Sequence, residues 1–258
     1  MNPLESFAQP DVLFRMLAVG VGYAALFGAC EGAGQVWRLA PELTRKIAHV
    51  VGGAIALGFP LVFDSPWPVI ALAVLFVVLL AVTARLGLLG SIHGVDRATI
   101  GAILYPVGVA IALVGAQHHA AWYSVAILSL SLGDAAAGVV GSRWGRLRFC
   151  VWRSARSVEG SLAAFGVSAA ATALVLSATG SAAPLIGALL VGAAVAVVEA
   201  VSPGGTDNVT VPVVALIAVA SPSTAAAVVV ASICLLVLGV SVPRSVSLSE
   251  TGLGPSHP

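Results

Sequence analysis

The feature that most constrains this chain is a succession of apolar runs, mostly about 17 to 21 residues long, the length needed to cross a hydrocarbon core as helix. They fall at 12–29, 47–63, 67–84, 99–115, 122–141, 160–179, 184–201, 209–220 and 224–240. Charged residues are 9% of the chain and hydrophobic residues 59%. A soluble domain carries about 25% charged residues, so this chain could not cover its own surface in water. The expected fold is an all-α, polytopic transmembrane helix bundle of about nine spans, with seven or eight as the lower counts. Run 209–220 would cover only ~18 Å as helix and is read as tilted, locally thinned around or re-entrant. The first run lacks a basic leader and a small-residue cleavage site, and reads as a retained span. Residues 1–243 read as a single membrane domain, and the Ser/Gly/Pro-rich 244–258 as a disordered tail.

Basic residues set the orientation. With the N-terminus outside, Arg38, Arg45, Lys46, Arg85, Arg97, Arg143, Arg146, Arg148, Arg153, Arg156 and Arg244 all lie inside, and only Arg15 lies outside. The protein is therefore expected in the cell membrane with its polar side in the cytoplasm. A net charge of +1 without a basic tail excludes nucleic acid as a partner. Cys30, Cys150 and Cys234 form no metal-ligand spacing and read as free thiols. His118 and His119 lack carboxylate or thiol support and read as a wetted loop. The Ala, Val and Gly excess, with Lys46 as the only lysine, suggests a GC-rich prokaryotic genome.

Ionisable residues collect on the inner side, and one inside a bilayer costs ~2.5–3.5 kcal/mol on insertion scales. Asp134 lies well within the fifth run in Gly133-Asp134-Ala135-Ala136-Ala137-Gly138, where small neighbours leave room for water, a cation or a phosphate. A structural Asp paired with a neighbouring helix is the alternative. Glu199 precedes Pro203-Gly204-Gly205-Thr206-Asp207-Asn208, whose amides and carboxylate suit a phosphate with its Mg²⁺, or simply form a helix cap. Arg45 and His49 are four apart on one helix face. Cations at a helix start oppose its dipole and call for an anion, unless Arg45-Lys46 is only an interfacial anchor. Segment 142–159 holds five arginines and two tryptophans. It ends in Arg156-Ser157-Val158-Glu159-Gly160-Ser161, where Ser157 can cap the next helix. Asp96-Arg97-Ala98-Thr99-Ile100-Gly101 has a similar form. No P-loop, kinase Gly-rich loop, zinc motif or nucleophile elbow is present.

In this order, Glu42-Leu43-Thr44-Arg45-Lys46-Ile47-Ala48-His49, Thr99-Ile100-Gly101, Leu132-Gly133-Asp134-Ala135-Ala136-Ala137, the Arg156–Ser161 block, and Glu199-Ala200-Val201-Ser202-Pro203 with Asp207-Asn208 resemble the polyprenol kinase family. That family includes dolichol, phytol and farnesol kinases and a CTP-dependent diacylglycerol kinase. Its members commonly carry Lys where this chain has Arg156. The resemblance implies transfer of the terminal phosphate of CTP to the hydroxyl of a membrane lipid alcohol, with cytoplasmic nucleotide meeting substrate at the bilayer. It implies Asp134 and Asp207 on Mg²⁺, and Arg45, Lys46 and Arg156 on phosphate with Ser157, Thr99 and Asn208. It leaves His49 to orient a phosphate, and Asp134 or Glu159 as base, Glu159 being also a second metal ligand. A CTP:phosphatidate cytidylyltransferase is the first rival, but its long C-terminal signature is missing. A transporter is the second, disfavoured by one-sided polarity and minimal outer loops.

Overall fold

The apolar runs become helices, and the computed structural model describes residues 2–94, 100–151, 154–221 and 240–241. In chain order these are α1 (Pro3–Phe7), α2 (Val12–Trp37), α3 (Pro41–Leu57), α4 (Phe59–Val62), α5 (Trp67–Arg85), α6 (Gly90–His93), α7 (Gly101–Gly115) and α8 (Ala120–Leu128). A π-helical turn, Ser129–Gly133, joins α8 to α9 (Asp134–Trp144). Strands β1 (Arg148–Val151) and β2 (Ser154–Ser157) lead into α10 (Val158–Ala178), α11 (Pro184–Val201), α12 (Asp207–Ala220) and β3 (Val240–Ser241).

Among the described residues, six helical stretches are long and apolar enough to cross a membrane: Val12–Trp37, Pro41–Val62, Trp67–Arg85, Ala120–Trp144, Val158–Ala178 and Pro184–Val201. Helices α7 and α12 are apolar but shorter. Eight of the nine expected runs are thus helices, and α12 begins two residues ahead of run 209–220. The ninth run and the tail lie outside the described residues, apart from the two residues of β3. The all-α expectation needs one addition, a small antiparallel sheet of order β2-β1-β3. Arg148 pairs with Ser157, and Cys150 with Ser241. The charge run in 142–159 concealed this hairpin.

The stretch Ala120–Trp144 is the axis of the bundle. Tyr123, Val125, Ala126, Ile127 and Leu130 are fully buried on it. It meets α3, α7, α10 and α12, while α10 lies along α11 and α12 along both α11 and α7. Small residues permit close helix approach, the usual device where lipid offers no hydrophobic drive between helices. At the α9–α10 crossing, a Cβ on Gly160 would stand 2.9 Å from the Ala137 carbonyl oxygen. One on Gly192 of α11 would stand 2.8 Å from the Phe165 carbonyl oxygen of α10. The π turn inserts one residue into the axis helix. That rotates everything after it by about 100° relative to an uninterrupted helix, and the first residue after it is Asp134.

Candidate active site

Five elements bring charge to one buried point at the end of the axis helix. Lys46 of α3 donates from Nζ to Asp134 Oδ2 at 2.5 Å and to the Asp134 carbonyl oxygen at 3.1 Å. His49, one turn further along α3, holds Nε2 at 3.2 Å from the Leu130 carbonyl oxygen and 3.6 Å from Asp134 Oδ2. Both neighbours are acceptors, so Nε2 carries the proton and Nδ1 is the acceptor of the neutral ring. Tyr105 of α7 stacks on the imidazole, with centroids 4.3 Å apart, and donates its hydroxyl to the His49 carbonyl oxygen at 3.1 Å.

Arg156, at the end of β2, forms the second node. Its guanidinium pairs with Glu199 of α11, donates to the Ser202 carbonyl oxygen at 2.6 Å and reaches Asp207 Oδ2 at 3.4 Å. Burial alone would lower the Arg156 pKa, but the Glu199 and Asp207 carboxylates outweigh it and hold it above the ordinary value. Gly204 and Gly205, at φ of +60° and +94°, make the turn that starts α12 at Asp207; this left-handed backbone favours glycine. Carboxylate oxygens of Asp134, Glu199 and Asp207 all lie within 4.8 Å of one another, and all three residues are buried. Among the described residues, the three carboxylates pair with two cations, Lys46 and Arg156, while Arg45 pairs with Glu42 at 2.7 Å. Asn208 adds a buried amide oxygen with no hydrogen-bond partner beside Asp207. Negative excess, three convergent oxygens and a spare acceptor form a donor set that fits a hard divalent cation.

Two cavities flank this cluster. The polar one encloses about 820 Å³, mouth included, and is lined by Lys46, Asp134, Arg156, Ser161 and Glu199 among others. The apolar one, about 730 Å³ with its mouth included, lies among α2, α3, α5 and α7. Its polar lining is Arg45, His49, Tyr105 and Tyr23. Helix α3 is the wall between them, with Lys46 on one side and Arg45 and His49 on the other.

The sequence-based candidates sort accordingly. Asp134, Lys46, His49, Arg156 and Asp207 converge. Ser157 lines the polar cavity and caps α10, its Oγ accepting from the Gly160 amide at 3.1 Å. Asn208 folds over its own loop, donating from Nδ2 to the Gly205 carbonyl oxygen at 3.1 Å. Arg45 turns to the apolar cavity, away from the other cations. Glu159 does not join the cluster; its carboxylate accepts from the Leu147 amide at 3.1 Å and ties down the hairpin. Thr99 lies outside the described residues. Glu199 becomes a full member, and the signal was present in the sequence as an unpaired acid near the end of a long apolar run.

No family model and no solved structure matches the chain. Over 214 residues it is 35% identical to the phytol kinase of Synechocystis sp., an alignment covering 79% of this chain and 90% of that protein. At that identity and coverage, the chain belongs to the polyprenol/phytol kinase family.

Proposed function

We propose that the protein is a membrane lipid-alcohol kinase that moves the terminal phosphate of CTP to the hydroxyl of an isoprenoid alcohol of the phytol type. One observation carries this reading: a polar and an apolar cavity share α3 as their wall, with Asp134 and His49 at the seam. A lipid kinase needs this division, because its two substrates differ in solvent. CTP as donor and phytol as acceptor follow from the family resemblance and from the relative's own activity.

In this reading the tail lies in the apolar cavity and the nucleotide phosphates lie in the polar one. His49 Nδ1 receives the hydroxyl proton as the alcohol oxygen bonds to the terminal phosphorus. The bond from that phosphorus to the bridging oxygen breaks, and CDP leaves. Lys46 and Arg156 offset phosphate charge, since phosphoryl transfer chiefly requires positioning and charge stabilisation. Asp134, Glu199 and Asp207 would hold Mg²⁺, which draws charge from the phosphate oxygens when bound. His49 replaces Glu159 as the proposed base because it lines the lipid side. We also propose the N-terminus outside and the site at the cytoplasmic face. An odd span count is supported by Ser221 ending α12 at the end remote from Asp207, with Val240 paired to β1 beside the site.

The test is the purified protein in detergent with labelled CTP or ATP and, in turn, phytol, farnesol, undecaprenol and diacylglycerol. The expected products are an isoprenyl phosphate and CDP. EDTA should abolish turnover and excess Mg²⁺ restore it. If no alcohol is phosphorylated with Mg²⁺ present, the reading is wrong. Gly138→Ala gives a finer check. A Cβ there would stand 2.7 Å from Lys46 Cε. The flexible lysine can move aside, but only by giving up its buried ion pair, so the thermal midpoint should fall as well. Its Nζ would leave Asp134, and kcat/KM should fall roughly 10- to 100-fold.

A further inference from the structure

The apolar cavity has a near end and a far end, and they differ in chemistry. Arg45, His49 and Tyr105 stand at the near end, beside Asp134. From His49, where the hydroxyl would sit, to Phe59 the cavity follows α3 into α4 over ~15 Å of helix. Along that path the Tyr23 hydroxyl is already spent, donating to the Gly52 carbonyl oxygen at 2.7 Å. Beyond it the wall is hydrocarbon and aromatic ring, with Tyr23 and Phe76 centroids 5.1 Å apart. One polar end and one long apolar end match an alcohol on a prenyl tail.

The far end is shut. Phe59 is 4% exposed and Val69 2%. Behind Phe59 stands Phe63, 5% exposed, with ring centroids 5.9 Å apart at 72°. Helix α1 closes over the same turn, where Ser6 Oγ and Ser65 Oγ are hydrogen-bonded at 2.8 Å. A tail lying along this cavity therefore meets a double layer rather than open lipid.

We propose that this cavity, blocked at its far end, is a chain-length gauge, with Phe59 and Val69 as the stop that selects the acceptor; the proposal rests on the lipid-alcohol kinase reading. A tail that fills ~15 Å is that of a sesquiterpenoid alcohol when extended or of a diterpenoid alcohol when partly coiled. Shorter tails leave the far end empty and lose contact area, and long polyprenols cannot be housed with their hydroxyl at His49. Ala73 faces the middle of the cavity from α5, so a larger side chain there shortens the space without touching either end.

The test measures kcat/KM for geraniol, farnesol, geranylgeraniol, phytol and undecaprenol in three proteins: wild type, Phe59→Ala and Ala73→Phe. Thermal stabilisation by each alcohol without nucleotide is measured in parallel, as a binding readout independent of chemistry. Wild type should favour the sesquiterpenoid and diterpenoid alcohols over undecaprenol by about tenfold or more. Phe59→Ala removes one layer and leaves Phe63 behind it, so it should raise phytol relative to farnesol by about tenfold, and Ala73→Phe should lower phytol relative to geraniol by a similar factor. Stabilisation should follow the same order. The Ala73→Phe arm stands even where Phe59→Ala does not fold. Length profiles that superimpose on wild type in active variants would overturn the gauge and leave the kinase reading intact. A wild type that phosphorylates none of the alcohols would instead overturn the reading beneath it.

Discussion

Asp134→Asn is expected to lower kcat by about 10²–10³-fold in protein that still elutes as a single species in detergent. The substitution keeps the shape of the side chain and removes its charge. The amide oxygen can still accept from Lys46, whose second bond, to the Asp134 carbonyl oxygen, is untouched. The helix contacts set by Gly133 and the π turn are likewise unchanged. What is lost is one of three convergent carboxylates and the anion nearest His49. A kinetic defect much larger than the stability defect is therefore the expected signature. Wild-type turnover by a correctly inserted variant would remove Asp134 from the site.

Arg156→Ala has the opposite signature, a large loss of stability. It strips the cation from Glu199 and Asp207, both buried, and leaves the Ser202 carbonyl oxygen without the Arg156 donor. Breaking a buried pair on one side costs about 3–5 kcal/mol, because the remaining charge stays desolvated. Denaturation in detergent should show a much lower thermal midpoint for Arg156→Ala. The double variant Arg156→Ala/Glu199→Gln should recover part of the loss, since it removes the uncompensated charge. Arg156→Lys should fold, because a cation is retained and the family commonly has Lys there. It should be less stable than wild type, because an ammonium lacks the planar fork that serves Glu199, Ser202 and Asp207 together. A midpoint for Arg156→Ala equal to that of wild type would contradict this account of the node.

Much of this was legible in the sequence, for a physical reason. An ionisable residue in an apolar run is costly wherever the helix lies, so Asp134 stands out before any coordinates, and Lys46, Arg156 and Asp207 stand out as charges just ahead of such runs. The helices followed from run length, and even the shortness of α12 was readable. The separation of Arg45 from Lys46 was readable too. Adjacent helical residues point about 100° apart, so the two could not both face one phosphate, yet charge alone grouped them.

Other features were settled only by the packing. Nothing in Ser129-Leu130-Ser131-Leu132-Gly133 distinguishes a π turn from a regular one, although that turn aims Asp134. Glu159 and Glu199 are both acids at helix ends, and only the approach of α11 to β2 puts the second in the cluster and leaves the first on the hairpin. The apolar cavity is a gap between packed side chains, and Tyr23, Phe59 and Phe76 read as ordinary core residues until their neighbours are known.

The central claim is that the terminal phosphate, rather than the nucleotidyl group, passes from the polar cavity to an alcohol in the apolar one. The most direct measurement supplies phytol and Mg²⁺ to the purified protein with CTP labelled either at the γ-phosphate or at the α-phosphate. Label in the lipid product from γ-labelled CTP, with the α-label recovered in CDP, is the result expected. Label in the lipid from α-labelled CTP, with release of pyrophosphate, would contradict it and assign the site to nucleotidyl transfer.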